Sequence, residues 1–259
     1  MDAVRLPVGR LAAAMLAGQR RGATAGGGDD GIVPGRTIIV TSTTDSVDIS
    51  INGVKKTYAV TPDVPSRIVI EEDRITSLEE MFYGNKNIVY VDFSELDTSN
   101  VTSMYRVLRD CSSLTGLNMV DIDVSKCGTF YGAFWRLPVS SLDLSHWELA
   151  PKTDMSYIFT NATFKTLDIS SFDFGRVTGT TNIFAGCVNL TNLKFGYNNT
   201  RSINFSSCPL THESALSVIE GLAEVDTAQT VTFKATTYGT LTEGEIALAT
   251  SRGWSVVSA

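Results

Sequence analysis

Hydrophobic and polar positions recur along this chain with a step of 25 or 26 residues. An apolar–polar–apolar element appears as Val91-Asp92-Phe93-Ser94, Leu142-Asp143-Leu144-Ser145, Leu167-Asp168-Ile169-Ser170 and Leu193-Lys194-Phe195-Gly196, and Leu117-Asn118-Met119 fills the gap. Its first positions are 91, 117, 142, 167 and 193. Such alternation predicts a short strand with one buried face. A second landmark, Met81–Gly84, Val107–Cys111, Ala133–Arg136, Ile158–Asn161 and Ile183–Cys187, keeps the same step, its second position falling at Phe82, Leu108, Phe134, Phe159 and Phe184. There, stretches such as Met155-Ser156-Tyr157-Ile158-Phe159 predict apolar groups one helical turn apart on the opposite wall. A third landmark is Asp97–Met104, echoed by Asp123–Phe130, Glu148–Met155 and Asp173–Thr180. One such unit cannot bury its apolar face alone, whereas stacked neighbours can.

The flanks have their own patterns. Arg36–Thr41 reads as a strand, Ser46–Ile51 alternates with period two, and Asn52-Gly53 predicts a type I′ turn into Val54–Val60. Beyond the repeats, Thr211 is placed as an N-cap, with Ala215, Leu216, Val218, Ile219 and Leu222 as the buried helix face. Thr230–Phe233 reads as a strand. Leu241-Thr242-Glu243 opens a second helix with Ile246, Leu248 and Ala249 inside, Gly253 stops it, and Trp254–Val257 is a last strand.

These residues resemble the BspA-type leucine-rich repeat of gut and oral bacterial surface proteins and of phages. The resemblance covers about residues 68–200 and rests on Asp97–Met104, Leu142–Trp147, Leu167–Asp173 and Ile183–Leu190. Cys127 in place of Val101, and Arg136-Leu137-Pro138 in place of a Gly-Cys corner, depart from it. The expected fold is an α/β repeat solenoid, leucine-rich-repeat-like, with one short strand per 25–26-residue turn, an N-terminal β-hairpin module and an α/β C-terminal cap. The expected divisions are a basic leader or linker over 1–30 (an anchoring peptide, an export signal or a disordered tail), a small β module over 31–66, repeats over 67–200 and the cap over 201–259. The resemblance implies adhesion or recognition and no catalytic residue set.

Charge and composition narrow the chemistry. The 259 residues carry 21 Lys+Arg against 28 Asp+Glu. Residues 1–28 hold Arg5, Arg10, Arg20 and Arg21 against Asp2, a net +3, so the net −7 leaves −10 on the rest. Such a body disfavours nucleic acid. Two histidines, His146 and His212, and four cysteines without a C-x-x-C pair exclude the usual metal spacings, and no apolar run spans a membrane. Buried small hydrophobes are the favoured reading of the cysteines, and Cys187–Cys208 is the least implausible disulfide.

Asp92, Asn118, Asp143, Asp168 and Lys194 share one strand phase and are the candidate ligand-facing residues, together with Trp135 and Trp147. Aromatic rows beside polar ladders suit glycans and protein surfaces. No catalytic residue, metal or cofactor is assigned. The leading expectation is a non-enzymatic recognition module of a phage particle, a tail or head fibre or decoration protein. It would meet a bacterial surface protein or glycan and attach to a virion protein through residues 1–30. An exported bacterial cell-surface adhesin is the alternative. A glycan hydrolase with paired carboxylates in a cleft is a third reading, and homo-oligomers are compatible with all three.

Overall fold

The structure, a computed structural model, describes residues 35–259, so the basic leader lies outside the described residues. The chain forms β1 (Thr37–Ser42), β2 (Ser46–Ile51), β3 (Val54–Ala59), β4 (Ser66–Val69), β5 (Ile88–Asp92) and β6 (Gly116–Asn118). Next come β7 (Ser141–Asp143), β8 (Thr153–Asp154), β9 (Thr166–Asp168), β10 (Val177–Gly179), β11 (Asn192–Lys194) and β12 (Ile203–Phe205). The C-terminal part adds α1 (His212–Glu220), β13 (Gln229–Phe233), α2 (Ala235–Tyr238), α3 (Glu243–Ser251) and β14 (Trp254–Ser258).

The expected repeat solenoid is corrected by how these strands group. They fall into five separate sheets: a mixed β4-β1-β5-β6, the hairpin β2-β3, the pair β8-β10, and the parallel groups β7-β9-β11 and β12-β13-β14. No strand pairing joins β6 to β7, so no sheet runs the length of the repeats. The break falls beside Arg136-Leu137-Pro138, where the pattern departs and Pro138 has no N–H to donate. Nor do the repeats contain an α-helix. Among the described residues, all three α-helices lie C-terminal to residue 211, and the repeat region holds only a 3₁₀ turn at Phe174–Arg176.

The segments expected to be helical form a ribbon of tight turns instead. Residues four apart in each unit, Glu80 and Gly84, Arg106 and Asp110, Gly132 and Arg136, and Tyr157 and Asn161, have φ between 52° and 70°. Left-handed residues at this spacing prohibit a right-handed helix. Odd and even N–H groups then divide their work. Met81 N–H donates to Leu78 O (3.2 Å) and Tyr83 N–H to Glu80 O (3.1 Å), closing local turns. Glu80 N–H reaches Tyr105 O (2.8 Å) and Phe82 N–H reaches Val107 O (2.9 Å), one 25–26-residue step away. That step is therefore real as a backbone register across neighbouring units.

Under the ribbon runs a column of rings. Phe134, Phe159, Phe184, Phe205 and Phe233 stack with successive centroid separations of 6.0, 5.7, 4.7 and 5.8 Å. Each is fully buried. Cys111 and Cys187 donate their thiols to Phe82 O and Phe159 O, each at 3.0 Å. All four cysteines are free and buried, so the Cys187–Cys208 disulfide is corrected to two neighbouring thiols. Burial pushes the Cys111 and Cys127 thiols up to about 12, and contact with Cys187 together with burial pushes Cys208 up as well.

The flanking units follow their local signals. Asn52 and Gly53 both take positive φ, 51° and 78°, as a type I′ turn requires. β1 pairs antiparallel with β5, which ties the N-terminal strand to the first repeat strand. Thr211 caps α1 by accepting from Ser214 N–H, and Thr242 and Glu245 form a reciprocal capping box on α3. The apolar face of α3 is not inside as expected: Leu248 is 37% exposed and only Ala249 is buried.

Candidate functional site

The strand-face ladder first explains itself as structure. Asp92, Asn118, Asp143, Asp168 and Asn204 each accept the N–H two residues onward, at 2.8, 3.2, 3.0, 3.1 and 2.8 Å. This is an Asx turn closing each strand, and it accounts for the recurrence of Asp or Asn at that phase. Asp97, Asp123 and Asp173 make a second such row, accepting from Ser99, Ser125 and Gly175. Asp92 is also 4% exposed and takes Asn118 Nδ2 at 2.9 Å, so the ligand-facing assignment of Asp92 is corrected. Asn118 belongs to the same sheet and serves the same pairing.

Asp143, Asp168 and Lys194 are brought together elsewhere. They project from β7, β9 and β11 into a groove of about 700 Å³ walled by Glu213, Leu216 and Glu220 of α1. Lys194 Nζ lies 2.8 Å from Asp168 Oδ2. Burial acts to raise the Asp168 pKa, but Lys194 and Ser170 outweigh it and hold the carboxyl below its usual range. Among the described residues no group of three or more His, Cys, Asp or Glu is placed to hold a metal ion. No helix among them is long and apolar enough to cross a membrane.

The two tryptophans part company. Trp147 is 1% exposed and packs against Phe130 (5.2 Å) and Phe172 (6.3 Å), so its ligand-facing assignment is corrected to a core role. Trp135 is half-buried on the ribbon face, stacked on Tyr157 at 5.3 Å and 12°. Tyr157 meets Tyr131 at 5.1 Å, and Tyr131 stacks on Tyr105 at 5.3 Å. The Arg109 guanidinium lies 4.1 Å from the Trp135 ring centre and that of Arg106 lies 4.5 Å from Tyr105. Tyr83, 46% exposed, sits 5.8 Å from both arginines. Such cation–π contacts are worth ~0.5–1 kcal/mol each at exposed sites.

Tyr105, Tyr131, Tyr157 and Trp135, each half-buried, form one continuous aromatic–arginine face with Arg106 and Arg109. Its rings are held by one another and by the guanidiniums. Rigid Tyr and Trp with Arg are the residue types that concentrate binding energy. Arg106 and Arg109 were not among the sequence candidates. The available signal was Tyr105 at the phase of Tyr131, and Arg109 at the phase of Trp135, each one 26-residue step apart.

Residues 71–195, just under half of the 259-residue chain, match a family described as "Mycoplasma protein of unknown function, DUF285". No curated protein and no solved structure matches the chain.

Proposed function

We propose that this chain is a non-enzymatic recognition module of the BspA-like surface-repeat type, whose aromatic–arginine face contacts a bacterial surface protein or glycan. The continuous row Tyr105, Tyr131, Tyr157 and Trp135, flanked by Arg106 and Arg109, carries this reading. The family match over residues 71–195 supports it, because it covers the units that build the face. The employment of Asp92, Asp143 and Asp168 as strand-closing acceptors favours recognition over acid–base chemistry. We place the module on a phage particle, with the basic residues 1–28 seeking an acidic virion protein. Display on a bacterial cell surface is the alternative.

The test is binding of the purified chain to intact bacteria. Tyr105→Ala with Tyr131→Ala is expected to weaken binding by about tenfold or more, since two hot-spot truncations each cost over ~1 kcal/mol. Unchanged binding by a folded double variant refutes the assignment of the face. Mass spectrometry of purified virions separately decides the location.

A further inference from the structure

We propose that the C-terminal end of the turn ribbon is a docking groove for an extended segment of another polypeptide, held through backbone hydrogen bonds. Alternate ribbon N–H groups point one unit onward. Met155 donates to Gly179 O (3.0 Å), Tyr157 to Thr181 O (2.8 Å), Phe159 to Ile183 O (3.2 Å) and Asn161 to Ala185 O (2.8 Å). The next four donors in this register are the N–H groups of Thr180, Asn182, Phe184 and Gly186. None of them has a hydrogen-bond partner among the described residues. Unpaired backbone donors in a row are a template for a further backbone.

Two of these donors, Thr180 and Asn182, border a groove of about 420 Å³ between Thr180–Ile183 and the strand residues Asn204, Thr230 and Thr232. Ile183 and Ile203 form its buried floor, while Thr181, Asn182 and Asn204 stand exposed at the rim. The lining holds hydroxyls and amides and no charged side chain. Partial positive charge on unpaired N–H groups, without Lys or Arg, complements neutral carbonyl oxygens better than a phosphate.

The opposite end of the ribbon shows how an extended strand fits it. Ser77 O and Met81 O, four residues apart, accept from Asn52 and Ser50, two residues apart at the end of β2, each at 3.0 Å. Two strand residues span about 6.8 Å, so four ribbon residues match that pitch. Carbonyls two residues apart on an incoming segment therefore match the donor pair Asn182 and Gly186, whereas Phe184, 1% exposed, lies closed within the ring column. β2 closes the acceptor end from within the chain, whereas the donor end awaits a partner's strand.

The experiment uses the full chain and a displayed library of random dodecapeptides, with enriched peptides titrated against nitrogen-15-labelled protein. The expected result is a downfield shift of the Thr180, Asn182 and Gly186 amides. Thr232→Arg, which fills the groove from a half-buried strand position, is expected to weaken binding by about tenfold or more. Thr181→Arg, at an exposed rim position, gives the same reading if Thr232→Arg unfolds. Failure to enrich any peptide overturns the inference. So do shifts confined to Tyr105, Tyr131 and Trp135, or the same groove shifts produced by sodium sulfate alone. A chain that binds bacteria through its aromatic face yet selects no groove peptide overturns this inference and spares the proposed function.

Discussion

Gly196 follows β11 where earlier units carry Ser145 and Ser170, and replacing it by alanine should unfold the corner it occupies. A Cβ added there would lie 2.1 Å from Phe172 O, 2.9 Å from Phe172 C and 3.0 Å from Phe172 Cβ. Moving from 2.1 Å to an ordinary contact of 3.4 Å requires a backbone shift of about 1.3 Å. The Tyr197 N–H to Phe172 O bond, 2.9 Å, binds the same carbonyl and cannot survive that shift. Overpacking costs ~1–3 kcal/mol, and the lost hydrogen bond adds ~0.5–1.5 kcal/mol. The smaller entropy of an unfolded alanine chain returns ~0.4–1 kcal/mol. The net is about 2.5 kcal/mol, or roughly 5–10 °C for a folded unit of this size. Gly128→Ala is the matched control. Its nearest atom is Thr102 O at 3.8 Å and its φ is not left-handed, so it should melt at or slightly above the parent. Thermal denaturation followed by circular dichroism reads both variants. If Gly196→Ala melts within about 1 °C of Gly128→Ala, the close approach is not what requires glycine.

Phe159→Ala removes a ring from the middle of the stacked column and should cost ~3–5 kcal/mol, read as a lowered urea midpoint; a loss under about 1 kcal/mol contradicts the column as core. The buried thiols, with Cys111 and Cys127 pushed up to about 12, should react with a thiol reagent at pH 8 only after denaturation, and a reductant should leave the melting temperature unchanged. Side-chain and backbone donation from Ser99 holds the Asp97 carboxyl below its usual range, and Ser125 does the same for Asp123. Depressed folded-state values place this stabilisation above the unfolded pKa of ~3.9, and it is lost as pH falls through the folded values. The urea midpoint should therefore drop between about pH 5 and pH 2, with a shallower drop in Asp123→Asn, which keeps the turn acceptor; identical profiles contradict the assignment.

The Asp and Asn phase of the strands illustrates how a site can be visible and misassigned. Its recurrence at 92, 118, 143 and 168 is plain in the chain, but recurrence does not separate a ligand from a turn. The hydrogen bonds to residues 94, 120, 145 and 170 make the distinction. The aromatic face was half legible. Trp135 was a candidate from its sequence position, while Trp147, drawn from the same residue class, is core. Which ring faces water depends on what neighbouring units place beneath it.

By itself the sequence determined the local features whose causes lie within a few residues. The Asn52-Gly53 turn, the caps at Thr211 and Thr242, and the 25–26-residue step all follow from residue type and spacing. Only the tertiary structure decided that the strands divide into five sheets, with a break between β6 and β7. It also replaced the expected helical wall with a ribbon of tight turns that takes left-handed residues four apart, at residues as ordinary as Glu80, Arg106 and Tyr157. Apolar spacing reports which side of a segment is buried, and a helix and a ribbon of tight turns bury similar positions. The choice between them is made by backbone donors and acceptors a full unit away, and no local pattern records those.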